Sequence, residues 1–370
     1  DLGAALGSLP GKGPIDRLPI LIKLDGQKVD PSARQIAARP YIQAWLLAVA
    51  GLVFAMVIVG GATRLTDSGL SITEWKPILG AIPPLNQADW LEAFEKYKQI
   101  PEYQTVNRGM ALSEFKFIFW WEWGHRFLGR FIGVAFFVPM LAFWLTGRLE
   151  SRLKAPLAGL FVLGGLQGLM GWYMVMSGLV ERVDVSQYRL AAHLTLAALI
   201  LAGLIWVMLS VSHRRAGRIS IGPMALVILI GVQIFAGALV AGLDAGLTYN
   251  TWPLMDGDFI PDGLFSETPA WRNLFENILT VQFQHRMLAY LVLIAVIDET
   301  RKSISRGPAA ARWPAWTMTI IGIAQVILGI ATLLAVVPLS LALLHQAGAF
   351  LLLAAAGWHL HSAAEPERRG

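Results

Sequence analysis

The sequence predicts an all-α membrane protein: eight transmembrane helices in two tandem-repeat four-helix bundles, with both termini cytoplasmic. Three observations predict it. The 370 residues are 55% hydrophobic and 15% charged, with a mean hydropathy of +0.56, whereas a soluble domain is about 25% charged. Charge is confined to short clusters between apolar runs of roughly 18–25 residues, the length a helix needs to cross about 30 Å of hydrocarbon. The order of motifs in the first half then recurs in the second, as duplication of one unit would give. The net charge of +5 therefore reflects Lys and Arg at helix ends and is no argument for nucleic acid. With no cysteine in the chain, disulfides, thiolate metal sites and thiol catalysis are excluded, and a bound metal must use His, carboxylate or Met.

Residues 1–38 are polar and rich in Gly and Pro, without the apolar core of a signal peptide, and are expected to form a cytoplasmic tail. The first unit is expected over 39–218. Its spans run from about Tyr41 to Ala62, Phe117 to Leu145, Leu157 to Met176 and Tyr188 to Ser210. A long loop joins the first two, and its stretch Trp90 to Tyr97 is amphipathic enough to lie on the membrane surface. The second unit, 219–361, carries spans at Pro223 to Ala241, Asn277 to Ile297, Trp316 to Val336 and Leu339 to Leu360, followed by a tail at 362–370. Nothing in the pattern calls for sheet. Arg148, Arg152 and Lys154, then Arg214, Arg215 and Arg218, then Arg301, Lys302, Arg306 and Arg312 all follow even-numbered spans. Positive charge marks the cytoplasmic side, so the two long loops face outward.

Within the repeat, Gly60-Gly61-Ala62, Leu65, Asp67, Gly69, Leu70 and Trp75-Lys76-Pro77 match Gly237-Ala238, Leu243, Asp244, Gly246, Leu247 and Trp252-Pro253. Spans two and six share His125-Arg126 and His285-Arg286, while spans three and seven share a mid-helix glutamine, Gln167 and Gln325. His193 and His345 occupy the fourth span of each unit. Each of the four histidines falls roughly 6–12 Å inward from the outer end of its helix. Imidazoles from the second and fourth helices of a bundle, at one depth, suit a planar haem with two axial His. One intramembrane His alone is more often a hydrogen-bond donor or proton-relay member; four at matching positions point to two haem seats. His213, His359 and His361, among polar residues at cytoplasmic ends, are expected to be solvated.

Glu122 lies three residues before His125, on one helix face, and the second copy has Gln282 in its place. A carboxylate is expensive in a membrane, so Glu122 reads as a base, or as a hydrogen-bond partner for water at the porphyrin edge, with a hydrated or Arg-paired structural role as the alternative. Arg126 and Arg286 suit haem propionates as well as they suit snorkelling to headgroups. Gly164, Gly168 and Gly171 are expected to permit close helix packing.

Glu122-Trp123-Gly124-His125-Arg126, Gly60 to Thr66 with Ser68 to Ser71, Gln167-Gly168 with Gly171 to Val175, and Thr251 to Met255 together resemble the haem A synthase family of proteobacterial and mitochondrial type, from Arg39 to about His361. The resemblance implies that haem O is the substrate and that two successive hydroxylations turn its ring methyl into a formyl group, giving haem A for cytochrome oxidase. It further implies a haem b cofactor held by His285 and His345, a substrate haem facing His125 and His193, and Glu122 as catalytic acid. A haem O synthase and oxidase assembly factors are the implied protein partners, and the bacterial inner membrane, or the mitochondrial one, the implied location. Some bacterial relatives carry a cysteine pair in the outer loops; its absence here removes thiol-assisted reduction or haem hand-over. Two other readings are a bis-His cytochrome b-type electron carrier, which leaves the Glu122 to Gln282 difference idle, and a transporter, which would bind no haem.

Overall fold

The structure, a computed structural model, describes residues 31–76, 79–180, 183–212 and 219–364. The expectations for residues 1–30, His213, Arg214, Arg215, Arg218 and the end of the carboxy-terminal tail lie outside them. Ten α-helices follow in order: α1 (Pro31–Leu65), α2 (Gln87–Tyr97), α3 (Pro101–Thr105), α4 (Leu112–Leu145), α5 (Ser151–Val180), α6 (Gln187–Ser212), α7 (Ile221–Gly242), α8 (Ile278–Ser305), α9 (Ala309–Leu334) and α10 (Leu339–Ala363). Eight of these, all except α2 and α3, are long and apolar enough to cross a membrane. Among the described residues there is no strand, only an isolated bridge between Met255 and Asp258. The chain is a multi-pass membrane protein.

The spans run longer than their apolar cores because capping groups at the membrane edge carry them onward. Glu114 accepts from the Ala111 amide at 2.7 Å and starts α4 at Leu112, ahead of the apolar run. Asn277 caps α8 by accepting from the Thr280 amide at 3.1 Å. Past the outer ends of α1 and α7, Asp67 (φ 48°) and Asp244 (φ 49°) adopt the left-handed conformation that Asp tolerates better than most residues. Arg64 bonds both, at 3.0 and 2.9 Å, and so ties the two outer turns together.

α1 packs on α4, α6 and α10, and α7 on α6, α8 and α10. One continuous core results, with Leu46 of α1, Leu157 of α5, Leu204 of α6, Ile230 of α7, Val296 of α8, Met318 of α9 and Phe350 of α10 all buried in it. One polar contact across the seam is between α10 and α1, where the Gln346 amide donates to the Val57 carbonyl at 2.9 Å. Its Oε1 occupies the space a side chain on Gly61 would fill, so glycine is needed there.

The apolar face of α2 is covered by protein. Trp90, Phe94 and Tyr97 turn inward against Phe115 and Phe119 of α4, with Trp90–Phe119 and Phe94–Phe115 ring centroids each 4.9 Å apart. α4 extends beyond the apolar run and offers a protein surface for that aromatic face. Beneath it Glu102 is 4% exposed, and Asn107 donates to its Oε1 at 3.2 Å and to the Tyr97 hydroxyl at 2.8 Å. Burial pushes the Glu102 carboxyl up to about 8.

Candidate functional site: two imidazole pairs under the outer loops

His285 of α8 and His345 of α10 face one another with ring centroids 6.5 Å apart and planes at 85°. Two metal–nitrogen bonds of about 2 Å, plus roughly 1 Å from each nitrogen to its ring centre, account for that separation with one metal ion between the rings. His125 of α4 and His193 of α6 stand at the matching positions of the first half of the sequence. Among the described residues no group of three or more His, Asp or Glu could hold a metal ion.

Each imidazole sits against a glycine of a neighbouring helix. A Cβ added to Gly60 would lie 3.0 Å from His125 Nε2, one on Gly171 3.2 Å from His193 Cε1, one on Gly237 3.0 Å from His285 Cε1, and one on Gly329 2.8 Å from His345 Cε1. Glycine here makes room for a ring. Gly164 and Gly168, expected to bring helices together, have open space where a side chain would go, so close packing is not their role. Only Gly171 of that stripe makes a tight approach, and to a histidine.

Glutamines stand at two of the four rings, and a third bonds the backbone carbonyl of His345. Gln167 Nε2 lies 3.2 Å from His193 Nε2 and donates to the His193 carbonyl at 3.1 Å. Gln233 Nε2 lies 3.1 Å from His285 Nδ1 and donates to the His285 carbonyl at 3.1 Å. Gln325 donates to the His345 carbonyl at 2.5 Å. In all three glutamines Oε1 is buried without a partner, as is His345 Nδ1. Orphaned acceptors beside imidazoles fit metal ligation: iron on Nε2 makes Nδ1 an obligatory N–H donor, and such a ligand takes an acceptor of this kind. The residues present fit two haems.

The outer loops close over both pairs by matching contacts. Arg126 donates to the carbonyls of Ile72 (2.9 Å) and Glu74 (3.1 Å) and to Glu122 (2.5 Å). Arg286 donates to the carbonyls of Tyr249 (2.9 Å) and Thr251 (2.9 Å) and to Gln282 Oε1 (3.1 Å). Glu122, 2% exposed, also accepts from the Ser71 hydroxyl at 2.7 Å and the Ile72 amide at 2.6 Å. Gln282, 3% exposed, instead donates to the carbonyls of Ala245 (2.9 Å) and Tyr249 (3.3 Å).

His359 overturns its expected solvation. It is 1% exposed, with Nε2 3.3 Å from both Ser303 Oγ and Glu299 Oε1 and Nδ1 3.3 Å from the Ala311 carbonyl. The end of α8, the start of α9 and the end of α10 converge around it, which a count of polar neighbours in sequence does not disclose. His361 is half-buried against Trp206, with Ser210 Oγ at 3.4 Å. Sequence reasoning also missed Gln233 and Ser71; a lone glutamine inside the fifth apolar run was the signal for the first.

Comparison with known proteins places these features in one group. The profile of the COX15-CtaA family, described as cytochrome oxidase assembly protein, matches residues 43–356. The chain is 55% identical over 325 residues to a haem A synthase of Parvibaculum lavamentivorans, covering 87% of this chain and 94% of that one. It is 55% identical over 324 residues to a haem A synthase of Azorhizobium caulinodans (86% and 93% covered), and 52% identical over 335 residues to one of Brucella ovis (89% and 93%).

Proposed function

The chain belongs to the COX15-CtaA family of cytochrome oxidase assembly proteins, and from that premise we propose that it is a membrane haem-dependent oxidoreductase converting haem O to haem A by oxidising a ring methyl to a formyl group. The observation that carries the site assignment is the unequal equipment of two otherwise matching seats: imidazole pair, glycines and loop-clamping arginine occur in both, a buried carboxylate in one. His285 and His345 would hold a resident haem b; His125 and His193 would face the substrate haem. Bound haem supplies the redox chemistry.

Glu122 is the acid–base group of the substrate half. It sits one helical turn from His125, and three donors hold its carboxylate in one orientation as a proton acceptor. Arg126 and Arg286 hold the loops over the two seats and pair with propionates; the buried, unpartnered Nε of Arg286 supports this in the second seat. The outer loops exclude water from both. We further read the spans as two duplicated units in the inner membrane with cytoplasmic termini, haem O arriving from its synthase and haem A leaving toward oxidase assembly factors.

The test is Glu122→Gln, with haem extracted from membranes and resolved by chromatography. The variant is expected to retain haem b and haem O while haem A falls at least about 100-fold, the size of a lost acid–base group. Haem A at the wild-type level would remove Glu122 from the chemistry. Extraction of haem b alone from the wild type, in host membranes that contain haem O, would favour the electron-carrier reading.

A further inference from the structure

The two glycines that back the first histidine of each pair have different neighbours. Gly60 of α1, against His125, is followed by Gly61, whereas Gly237 of α7, against His285, is followed by Ala238. A Cβ on Gly61 would overlap Gln346 Oε1 and lie 3.0 Å from Leu343 Cδ2, both on α10. Gln346 directly follows His345, and its Nε2 donates at 2.9 Å to the carbonyl of Val57, one helical turn before Gly61. Bonds and contacts thus run without a break from His125 through Gly60, Gly61 and Gln346 to His345. The same turn of α10 is held from its other side by Gln325 of α9, which donates to the His345 carbonyl and fills the space of a side chain on Gly348. The reciprocal crossing, between His193 and His285, is apolar. There the residue after the histidine is Leu194, packed on the cluster that holds Ala238 and Leu239.

We infer that Gln346 is a positioning residue for both seats: it ties the turn of α10 that aims His345 to the turn of α1 that backs His125. An amide inside a membrane bundle is costly unless its polar atoms find partners on a neighbouring helix. Here the partner is a backbone carbonyl, which cannot rotate away, so the bond fixes the angle of α10 against α1. A leucine, as at position 194, packs without specifying such an angle. Close-packed helices pass a displacement on to their neighbours instead of absorbing it. Substitutions at this contact therefore act crosswise: a change on α1 reaches the haem held by α8 and α10, and a change on α10 reaches the haem beside α4. The inference rests on the assignment of one haem to each imidazole pair.

Full-length protein is purified in detergent from membranes that contain haem O. Each haem is measured by extraction and chromatography. Ligand geometry is read from the low-spin paramagnetic resonance signals of the ferric haems, which respond to the relative orientation of the axial imidazole planes. Gly61→Ala, on a helix that supplies no iron ligand, is expected to shift the haem b signal and lower haem b content about tenfold, the effect of an overpacked contact. Gln346→Leu, which removes the bond to Val57 without adding bulk, is expected to lower haem O content about three- to tenfold, the worth of one interhelical hydrogen bond. In Gly61→Ala combined with Gln346→Ala the added methyl meets a shortened side chain, and haem b is expected to return to the level of Gln346→Ala alone, the non-additivity of directly coupled positions. Haem b unchanged in Gly61→Ala, haem O unchanged in Gln346→Leu, or a double variant no better than the sum of its parts each overturns the inference. Gln346→Leu decides the matter by itself if Gly61→Ala does not fold. Wild type that retains no haem would instead overturn the assignment of the two seats, and the inference with it.

Discussion

At the outer ends of α4 and α8 the same structural task is done with opposite polarity. Glu122 pins its loop by accepting from Ser71 and the Ile72 amide; Gln282 pins the corresponding loop by donating to the Ala245 and Tyr249 carbonyls. Both lie one turn before an arginine that clamps two further carbonyls of the same loop. Since a neutral amide closes the second loop, closing a loop does not call for an acid. A buried carboxylate is costly in a membrane protein, and Gln282 shows that closing such a loop does not require one, so the two halves serve as each other's control.

That comparison can be broken most forcefully, after Glu122 itself, at the glycine seats. Gly329→Ala would press a methyl to 2.8 Å from His345 Cε1, and Gly171→Ala one to 3.2 Å from His193 Cε1. Overpacking of this kind costs about 1–3 kcal/mol. Gly329→Ala is expected to lower haem b occupancy roughly tenfold, read from the haem-to-protein ratio of purified protein, and Gly171→Ala to affect haem O occupancy by less, leaving haem b in place. Equal loss of both haems from either variant would mean that the seats are not independent.

A smaller effect is expected where α8, α9 and α10 meet around His359. His359 there bonds Ser303, Glu299 and the Ala311 carbonyl, while the sequence positions that match His359, Glu299 and Ser303 in the first half are the apolar Val207, Pro139 and Phe143. His359→Ala is expected to cost about 1–2 kcal/mol, the range for interhelical polar contacts in membranes. It should appear as a lower thermal midpoint in detergent with the haem spectrum unchanged at low temperature. A spectrum altered before unfolding would extend the influence of this cluster to the haem seat.

The smallest effect is a pH dependence confined to the outer loop of the first bundle. Burial raises the Glu102 carboxyl from its ordinary value of 4.5 to about 8, so the folded loop prefers the protonated acid. Its contribution is fully present below about pH 4.5, declines above that value and is lost as pH rises through about 8. Amide exchange across α2 and α3 should accelerate between about pH 5 and 8 beyond the intrinsic base dependence and level off above that. Glu102→Gln, a permanent mimic of the neutral acid, should flatten that excess; acceleration that persists in the variant would place the titrating group elsewhere.

Much of this was legible in the chain because a membrane leaves few choices. Backbone groups in hydrocarbon must bond within their own segment, so apolar run length alone determined eight helices, and the recurrence of His-Arg, the mid-helix glutamine and the Gly-Ala turn determined which helices correspond. The four histidines and the difference between Glu122 and Gln282 followed from residue identity at matching positions. What only the tertiary structure decided is who touches whom across helices: that Gln233 and Gln167 stand beside two imidazoles and Gln325 bonds the His345 carbonyl, that Glu122 faces the Ser71 turn, that α2 folds onto α4, and that His359 is buried. Each depends on the rotation of one helix about its axis against another, and on side-chain directions in the loops. Hydropathy is blind to both, because a lipid-facing and a helix-facing side of a membrane span are nearly equally apolar.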